Sequence, residues 1–224
     1  NVDSIFLYSW ALSLLAGNSN IVRVSQRQTN QTHLLFNIIR KCFQSVNSIE
    51  IAKRYHQSGD LPKAEEIYRS VLNRDPVNAE ALHFLGVISY QKGENGIAVD
   101  LITKALEIKP DYAMAHNNIG NALLGLGKLD EAVKSYRRAL AIKPDYAVAH
   151  NNLGNALRGL GELDEAAASY RRALDIKPDY AVAQYNLGNA LWDRGKLDEA
   201  VASYHKALAI KPDFAEAHNN LGNA

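Results

Sequence analysis

Apolar positions along most of this chain follow two alternating helical registers. In residues 147–180, Leu153, Gly154 and Leu157 fall at i, i+1 and i+4, one face of a first helix. Gly159 and Gly161 break that pattern. A second run then carries Leu163, Ala166, Ala167, Tyr170, Ala173 and Leu174 at helical spacing. Asp164 and Glu165 stand in its first turn and Arg171 and Arg172 toward its end, the order that the helix dipole favours. Pro178 stops the run, because proline lacks an N–H and disfavours helix at Lys177 before it. Asp179 is the predicted cap of the next helix.

The same order returns with a fixed period. Pro76, Pro110, Pro144, Pro178 and Pro212 stand 34 residues apart. Aligned on them, the chain holds five full units, 45–78, 79–112, 113–146, 147–180 and 181–214, and a truncated sixth, 215–224. Small residues recur where helices must touch closely: Gly120, Gly154 and Gly188 on the first helices, Ala132, Ala166 and Ala200 on the second. A helix breaker at constant spacing is the mark of stacked supersecondary units. The predicted fold is therefore an all-α helix-pair solenoid over residues 45–224. Its sixth first helix carries Ala217, Leu221 and Gly222 on a packing face with no second helix to cover them. Self-association through that uncapped end is expected, as is continuation of the natural protein beyond both ends of this sequence.

The Leu-Gly pair, a large apolar residue three places on, then glycine, alanine, tyrosine, alanine-leucine and proline resemble the tetratricopeptide repeat. The resemblance covers about four-fifths of the chain, from Ser45 to Ala224. It implies a right-handed superhelix whose first helices line a concave, partner-binding side. Leu123 and Leu157 stand where that family often has tyrosine.

Composition narrows the function. The chain is 47% hydrophobic and 22% charged with a net charge of +1, a globular balance without the basic stripe that nucleic acid requires. Its one cysteine, Cys42, excludes an internal disulfide and multi-cysteine zinc sites and fits a reducing, cytoplasmic setting. The seven histidines show no metal-ligand spacing. His116, His150 and His218 recur at the fourth place of the first helix, where packing toward the core is expected. No metal and no cofactor are expected.

Residues 1–44 lack the repeat and are rich in Ser, Asn, Gln and Ile. Ile5–Ala16 reads as a helix stopped by Gly17-Asn18, Ile21–Val24 as a short strand, and Gln31–Phe43 as a second helix. The segments Tyr8-Ser9-Trp10-Ala11-Leu12, Leu15-Ala16-Gly17-Asn18 and Asn20-Ile21-Val22-Arg23-Val24-Ser25 resemble the cofactor domain of the aldehyde dehydrogenase superfamily, especially its acyl-CoA reductases. By that resemblance Arg23 and Ser25 match the positions that approach the adenosine ribose, or its 2′-phosphate, of a nicotinamide cofactor. The downstream glycine turn, catalytic cysteine and further strands have no counterpart, so an inactive remnant or an N-terminal cap is expected. Asp3 and the lack of a preceding positive charge argue against a signal peptide. A membrane span needs about 20 apolar residues, more than Ile5–Ala16 supplies.

The distinctive chemistry is a repeated set of amides. Places five, six and nine of the unit are Asn117, Asn118 and Asn121 in the third, Asn151, Asn152 and Asn155 in the fourth, and Tyr185, Asn186 and Asn189 in the fifth. The sixth has Asn219, Asn220 and Asn223. These places are expected on one helix face, opposite the Leu-Gly face. Asparagine costs a helix up to about 0.7 kcal/mol relative to alanine, and its amide suits the backbone of an extended peptide. The array resembles the asparagine ladder in the repeat arm of O-linked N-acetylglucosamine transferases, which implies peptide main-chain binding. A structural use, bridging neighbouring first helices, is the alternative and weighs most at the sixth place. Replacing Asn117, Asn121, Asn151 and Asn155 by alanine is expected to leave the fold intact, alanine being the better helix former, and to weaken a bound peptide. Place twelve varies through Tyr90, Leu124, Arg158 and Trp192, a candidate specificity wall. The fifth place is Ile49, His83, Asn117, Asn151 or Tyr185, never the lysine of the family's carboxylate clamp. The expected function is a non-enzymatic scaffold that binds a protein or peptide. The alternatives are a substrate arm of a larger glycosyltransferase, or part of an NAD(P)H-dependent acyl-CoA reductase through residues 1–44.

Overall fold

The computed structural model describes residues 48–223. The helix–strand–helix expectation for residues 1–44, with Arg23, Ser25 and Cys42, lies outside them. The chain divides into two compact units between Ile67 and Tyr68. In the first, helix α1 covers residues 48–57, and α2 (Leu61–Arg74) begins there and runs on into the second. The second unit holds α3 (Ala79–Gln91), α4 (Asn95–Ile108), α5 (Ala113–Gly125), α6 (Leu129–Ile142), α7 (Ala147–Gly159), α8 (Leu163–Ile176), α9 (Ala181–Asp193), α10 (Leu197–Ile210) and α11 (Ala215–Gly222). No strand occurs among the described residues. From α3 onward each first helix packs on its own second helix, and that second helix on the next first helix. This is the helix-pair solenoid that the 34-residue period predicts.

The turn inside each pair explains its glycine. Gly161 lies at φ +79°, a left-handed conformation that costs any residue with a Cβ. There the Glu162 N–H reaches back to the Leu157 carbonyl (2.9 Å) and closes the end of α7. Gly93, Gly127 and Gly195 repeat the geometry. Gly159 is different. It is the last helical residue of α7, and a Cβ there would meet the Leu129 side chain at 3.2 Å. It is a point of close approach and not the break the pattern suggested.

Three further expectations change. Asp179 does not cap α9. The cap position belongs to Tyr180, which makes no side-chain cap bond, and its ring lies under Lys177 Nζ (5.3 Å). Packing the turn has displaced capping at this place. Arg171 and Arg172 stop short of the last turn of α8, and Arg171 reaches Glu199 of α10 (3.8 Å). Ala217, expected on an uncovered face, is fully buried with Ala207 and Phe214, because α10 already covers that side of α11.

The core is a line of tyrosines over glycines. Tyr136, Tyr170 and Tyr204 are buried among Leu123, Leu153, Leu157, Leu187 and Leu191. A Cβ added at Gly120, Gly154 or Gly188 would stand 2.5–2.6 Å from the ring that follows it. In the second unit Ile102 takes the ring's place over Gly86. Gly154→Ala is therefore expected to cost about 1–3 kcal/mol, since the Tyr170 ring has nowhere to retreat. Gly96, inside α4 with nothing within 4 Å of an added Cβ, sets the contrast. Gly96→Ala, in the first turn of α4, is expected to gain a smaller amount, up to about 0.5 kcal/mol, from helix propensity. Urea titrations of the two variants against the parent check both signs.

Candidate functional site

The tyrosine ring that covers the eighth-place glycine delivers its hydroxyl to the amide beside it. Tyr136 donates to Asn121 Oδ1 (2.8 Å), Tyr170 to Asn155 Oδ1 (2.8 Å) and Tyr204 to Asn189 Oδ1 (2.9 Å). Burial pushes the Tyr136 and Tyr170 phenols well above the ordinary tyrosine value, which keeps them protonated donors. The ninth-place amides therefore sit beside the glycine face and not opposite it.

The sixth-place amides bridge successive first helices. Asn152 Nδ2 donates to both Asn117 Oδ1 (3.1 Å) and Asn121 Oδ1 (3.0 Å) of α5. Asn186 Nδ2 donates to Asn151 Oδ1 (3.0 Å). Asn220 Nδ2 donates to Asn189 Oδ1 (2.9 Å) and to the Tyr185 hydroxyl (3.1 Å). Asn118 Nδ2 lies 2.9 Å from His83 Nε2. The fifth-place amides complete the seam, with Asn117 donating to Asn118 Oδ1 (3.1 Å) and Asn151 to Asn152 Oδ1 (3.4 Å). Asn117 and Asn151 are only 2% and 3% exposed. The single face expected for places five, six and nine is thus divided. Place five turns toward the glycine side and is buried, because it lies about one turn from it.

What remains outward is narrower than the full array. The Nδ2 groups of Asn121, Asn155 and Asn189 make no hydrogen bond among the described residues; Asn121 and Asn155 are half-buried, and Asn189, only 9% exposed, lines an open cleft. Tyr185 is occupied internally, its ring against Phe214 (5.0 Å) and Tyr204 (5.9 Å). Arg158 and Trp192 line an open cleft of about 230 Å³ with Asn189, Asp193 and Tyr204. Arg158 Nε donates to Asp193 Oδ2 at 2.6 Å. Partial burial works against the guanidinium charge, but the Asp193 carboxylate more than offsets it and holds the Arg158 pKa above its ordinary value.

Sequence reasoning missed the second place of the unit. Met114, Val148 and Val182 are 44%, 41% and 43% exposed. Each stands seven residues, two turns, before a ninth-place asparagine and so shares its stripe. That spacing was available in the sequence, but an apolar residue beside a core pattern reads as more core. The histidines also differ from expectation. His116, His150 and His218 are not core-facing, and their Nε2 atoms meet the carbonyls of Pro110, Pro144 and Pro212 (2.8–2.9 Å). Each fastens the start of its helix to the preceding turn, whose proline carbonyl lacks a helical partner. Among the described residues no three metal-ligating side chains converge, and no helix is long and apolar enough to cross a membrane.

Three models described as tetratricopeptide or TPR repeats match residues 77–145, 117–181 and 188–224. The chain is 33% identical over 129 residues to the probable UDP-N-acetylglucosamine–peptide N-acetylglucosaminyltransferase SEC of Arabidopsis thaliana, covering 58% of this chain and 12% of that protein. It therefore spans about an eighth of that relative's length. Among solved structures, MamA is 30% identical with a TM-score of 0.65, covering 74% of this chain and 97% of that one. A Thermobaculum terrenum O-GlcNAc transferase mutant is 30% identical with a TM-score of 0.59, covering 61% and 26%. The family matches begin at residue 77, so the aldehyde dehydrogenase resemblance of residues 1–44 gains no support from them.

Because the seam uses these amides, replacing Asn117, Asn121, Asn151 and Asn155 together by alanine is expected to destabilise the protein. Each buried partner left unsatisfied costs about 1–3 kcal/mol, more than the helix propensity gained. A urea midpoint at or above the parent's would show the seam to be idle. The tyrosines add a pH dependence. Their pKa is raised in the fold above the ordinary 10.0, so their contribution is fully present below pH 10.0 and is lost as pH rises beyond it. Thermal melts are expected to hold a plateau through neutrality and fall above about pH 10, less steeply in Tyr136→Phe and Tyr170→Phe.

Proposed function

The chain belongs to the tetratricopeptide-repeat family, and from that premise we propose that it is a protein-interaction scaffold without chemistry of its own. Its ligand is an extended peptide segment laid across the first helices. The observation that carries this reading is the state of the ninth-place amides. Their oxygens are held inward by tyrosine and, at Asn121 and Asn189, by a neighbouring asparagine, while the NH₂ groups of Asn121, Asn155 and Asn189 have no partner among the described residues. Fixed, repeated donors with solvent access suit main-chain carbonyls, which every peptide has. Arg158 and Trp192, in the cleft beside Asn189, add side-chain selectivity. The buried Asn117 and Asn151, and the seam residues Asn118, Asn152 and Asn186, position the donors. Tyr185 packs beneath them.

A second reading rests on the similarity to the Arabidopsis transferase, whose name states that it acts on peptides. In that case the same donor row holds a substrate peptide for a domain elsewhere in a longer protein.

Asparagine-to-aspartate substitution separates binding from stability. Asp at residues 121, 155 and 189 keeps the oxygen that accepts from tyrosine and replaces the outward donor by an oxygen that repels a carbonyl. Asn121→Asp, Asn155→Asp and Asn189→Asp together are expected to keep the helical spectrum while weakening a captured peptide by about tenfold or more, at roughly 0.5–1.5 kcal/mol per lost bond. A peptide-array screen with parent and triple variant reads this out. Unchanged binding by the folded variant refutes the donor row.

A further inference from the structure

We propose that the segment bound on this face is a polyproline-II-like peptide with an apolar side chain at every third residue. The inference rests on the interaction reading above and specifies its ligand. Met114, Val148 and Val182 present exposed apolar side chains once per unit, on the stripe that carries the donors of Asn121, Asn155 and Asn189. The first helices are in direct contact through the Asn152–Asn117 and Asn186–Asn151 bonds. Closely packed helices have axes about 8–10 Å apart, and these first helices, which meet through side-chain bonds, stand at the wide end of that range, about 10 Å. A ligand chain crossing them therefore meets one apolar side chain and one amide donor roughly every 10 Å.

Two extended conformations are available to it. A β-strand rises about 3.3 Å per residue and turns successive side chains to opposite sides. Three residues of strand cover one unit, but the third residue then points away from the row. A polyproline II helix rises about 3.1 Å per residue with three residues per turn, or about 9.3 Å per turn. One turn matches one unit, and every third side chain returns to the same side. Its carbonyls have no internal hydrogen bonds and are free for the amide donors. The face presents donors at this row, so a ligand residue without an N–H loses nothing and proline is tolerated between the apolar places. Charge adds a direction to the pattern. Arg158 donates to Asp193 through Nε, and its terminal nitrogens make no hydrogen bond among the described residues, which favours an acidic over a basic residue between the apolar places near the fourth and fifth units.

The test uses the whole chain and two fluorescein-labelled peptides of one composition. The first is Leu-Pro-Pro-Leu-Pro-Glu-Leu-Pro-Pro, and the second places the leucines at alternate positions. Fluorescence anisotropy is expected to show the first binding about tenfold more tightly. Met114→Glu, Val148→Glu and Val182→Glu together are expected to remove that advantage while melting like the parent, because these side chains are exposed. If the charged set melts early, Met114→Gln, Val148→Thr and Val182→Thr replace it. Equal affinity for the two peptides, or an advantage that survives in the folded variants, overturns the proposal. Binding that needs the Asn121, Asn155 and Asn189 amides but ignores leucine spacing overturns this inference and leaves the scaffold reading standing. No binding by either peptide overturns this inference as well, while the scaffold reading stands or falls with the peptide-array screen.

Discussion

The contact between an eighth-place glycine and a tyrosine ring governs the repeat part of this molecule. Without a Cβ on Gly120, Gly154 or Gly188, the ring of the following helix lies directly on backbone. That sets how closely a first and second helix approach. It also aims the phenol, because the hydroxyl of a ring lying over the glycine falls beside the next residue. Asn121, Asn155 and Asn189 accept that hydroxyl. The ring fills the core and fixes the amide, so packing and site geometry here are one arrangement.

The asparagines then serve two purposes that sequence reasoning set against each other. Asn152 spends its donors on α5, which satisfies the buried Asn117 oxygen and fastens one unit to the next. Buried polar groups are tolerated when bonded, and a bonded seam also fixes the register between neighbouring helices. The helix propensity lost at each asparagine is offset by these bonds. What is left over, the outward NH₂ of the ninth place, is held still by partners on its oxygen. A donor already fixed in place loses little freedom on meeting a ligand.

Around this constant frame the variable places carry individuality. Place twelve changes from Tyr90 and Leu124 to Arg158 and Trp192, and Asp193 stands where α5 and α7 end in glycine. The Arg158–Asp193 pair joins the fourth and fifth units at the cleft. The exposed pairs on the second helices, such as Arg137 with Glu165 (2.9 Å), also join successive units, but at such exposure they contribute little to stability. The stack is held by its core and its amide seam, which leaves place twelve free to vary.

The helix pairs, their period and the residues that meet in the core are legible in the linear pattern. Glycine at left-handed turns, proline at helix ends and apolar spacing are local consequences of backbone and burial, so Gly161, Pro178 and Tyr170 declare their roles within a few residues. How the amides divide follows from packing between units. Asn117 and Asn118 are neighbours of one type, yet the first is buried and accepts from Asn152 of the next unit while the second reaches His83 of the previous one. The outward donor of Asn121 depends on Tyr136, fifteen residues away, and on Asn152 of the next unit. Likewise Met114, Val148 and Val182 look like core in the linear pattern and are exposed in the stack, although the ninth-place amides two turns further on are bonded to neighbouring helices. Helical periodicity says which residues share a face. Which face is covered, and which hydrogen bonds are already made, is settled by the next layer of the stack.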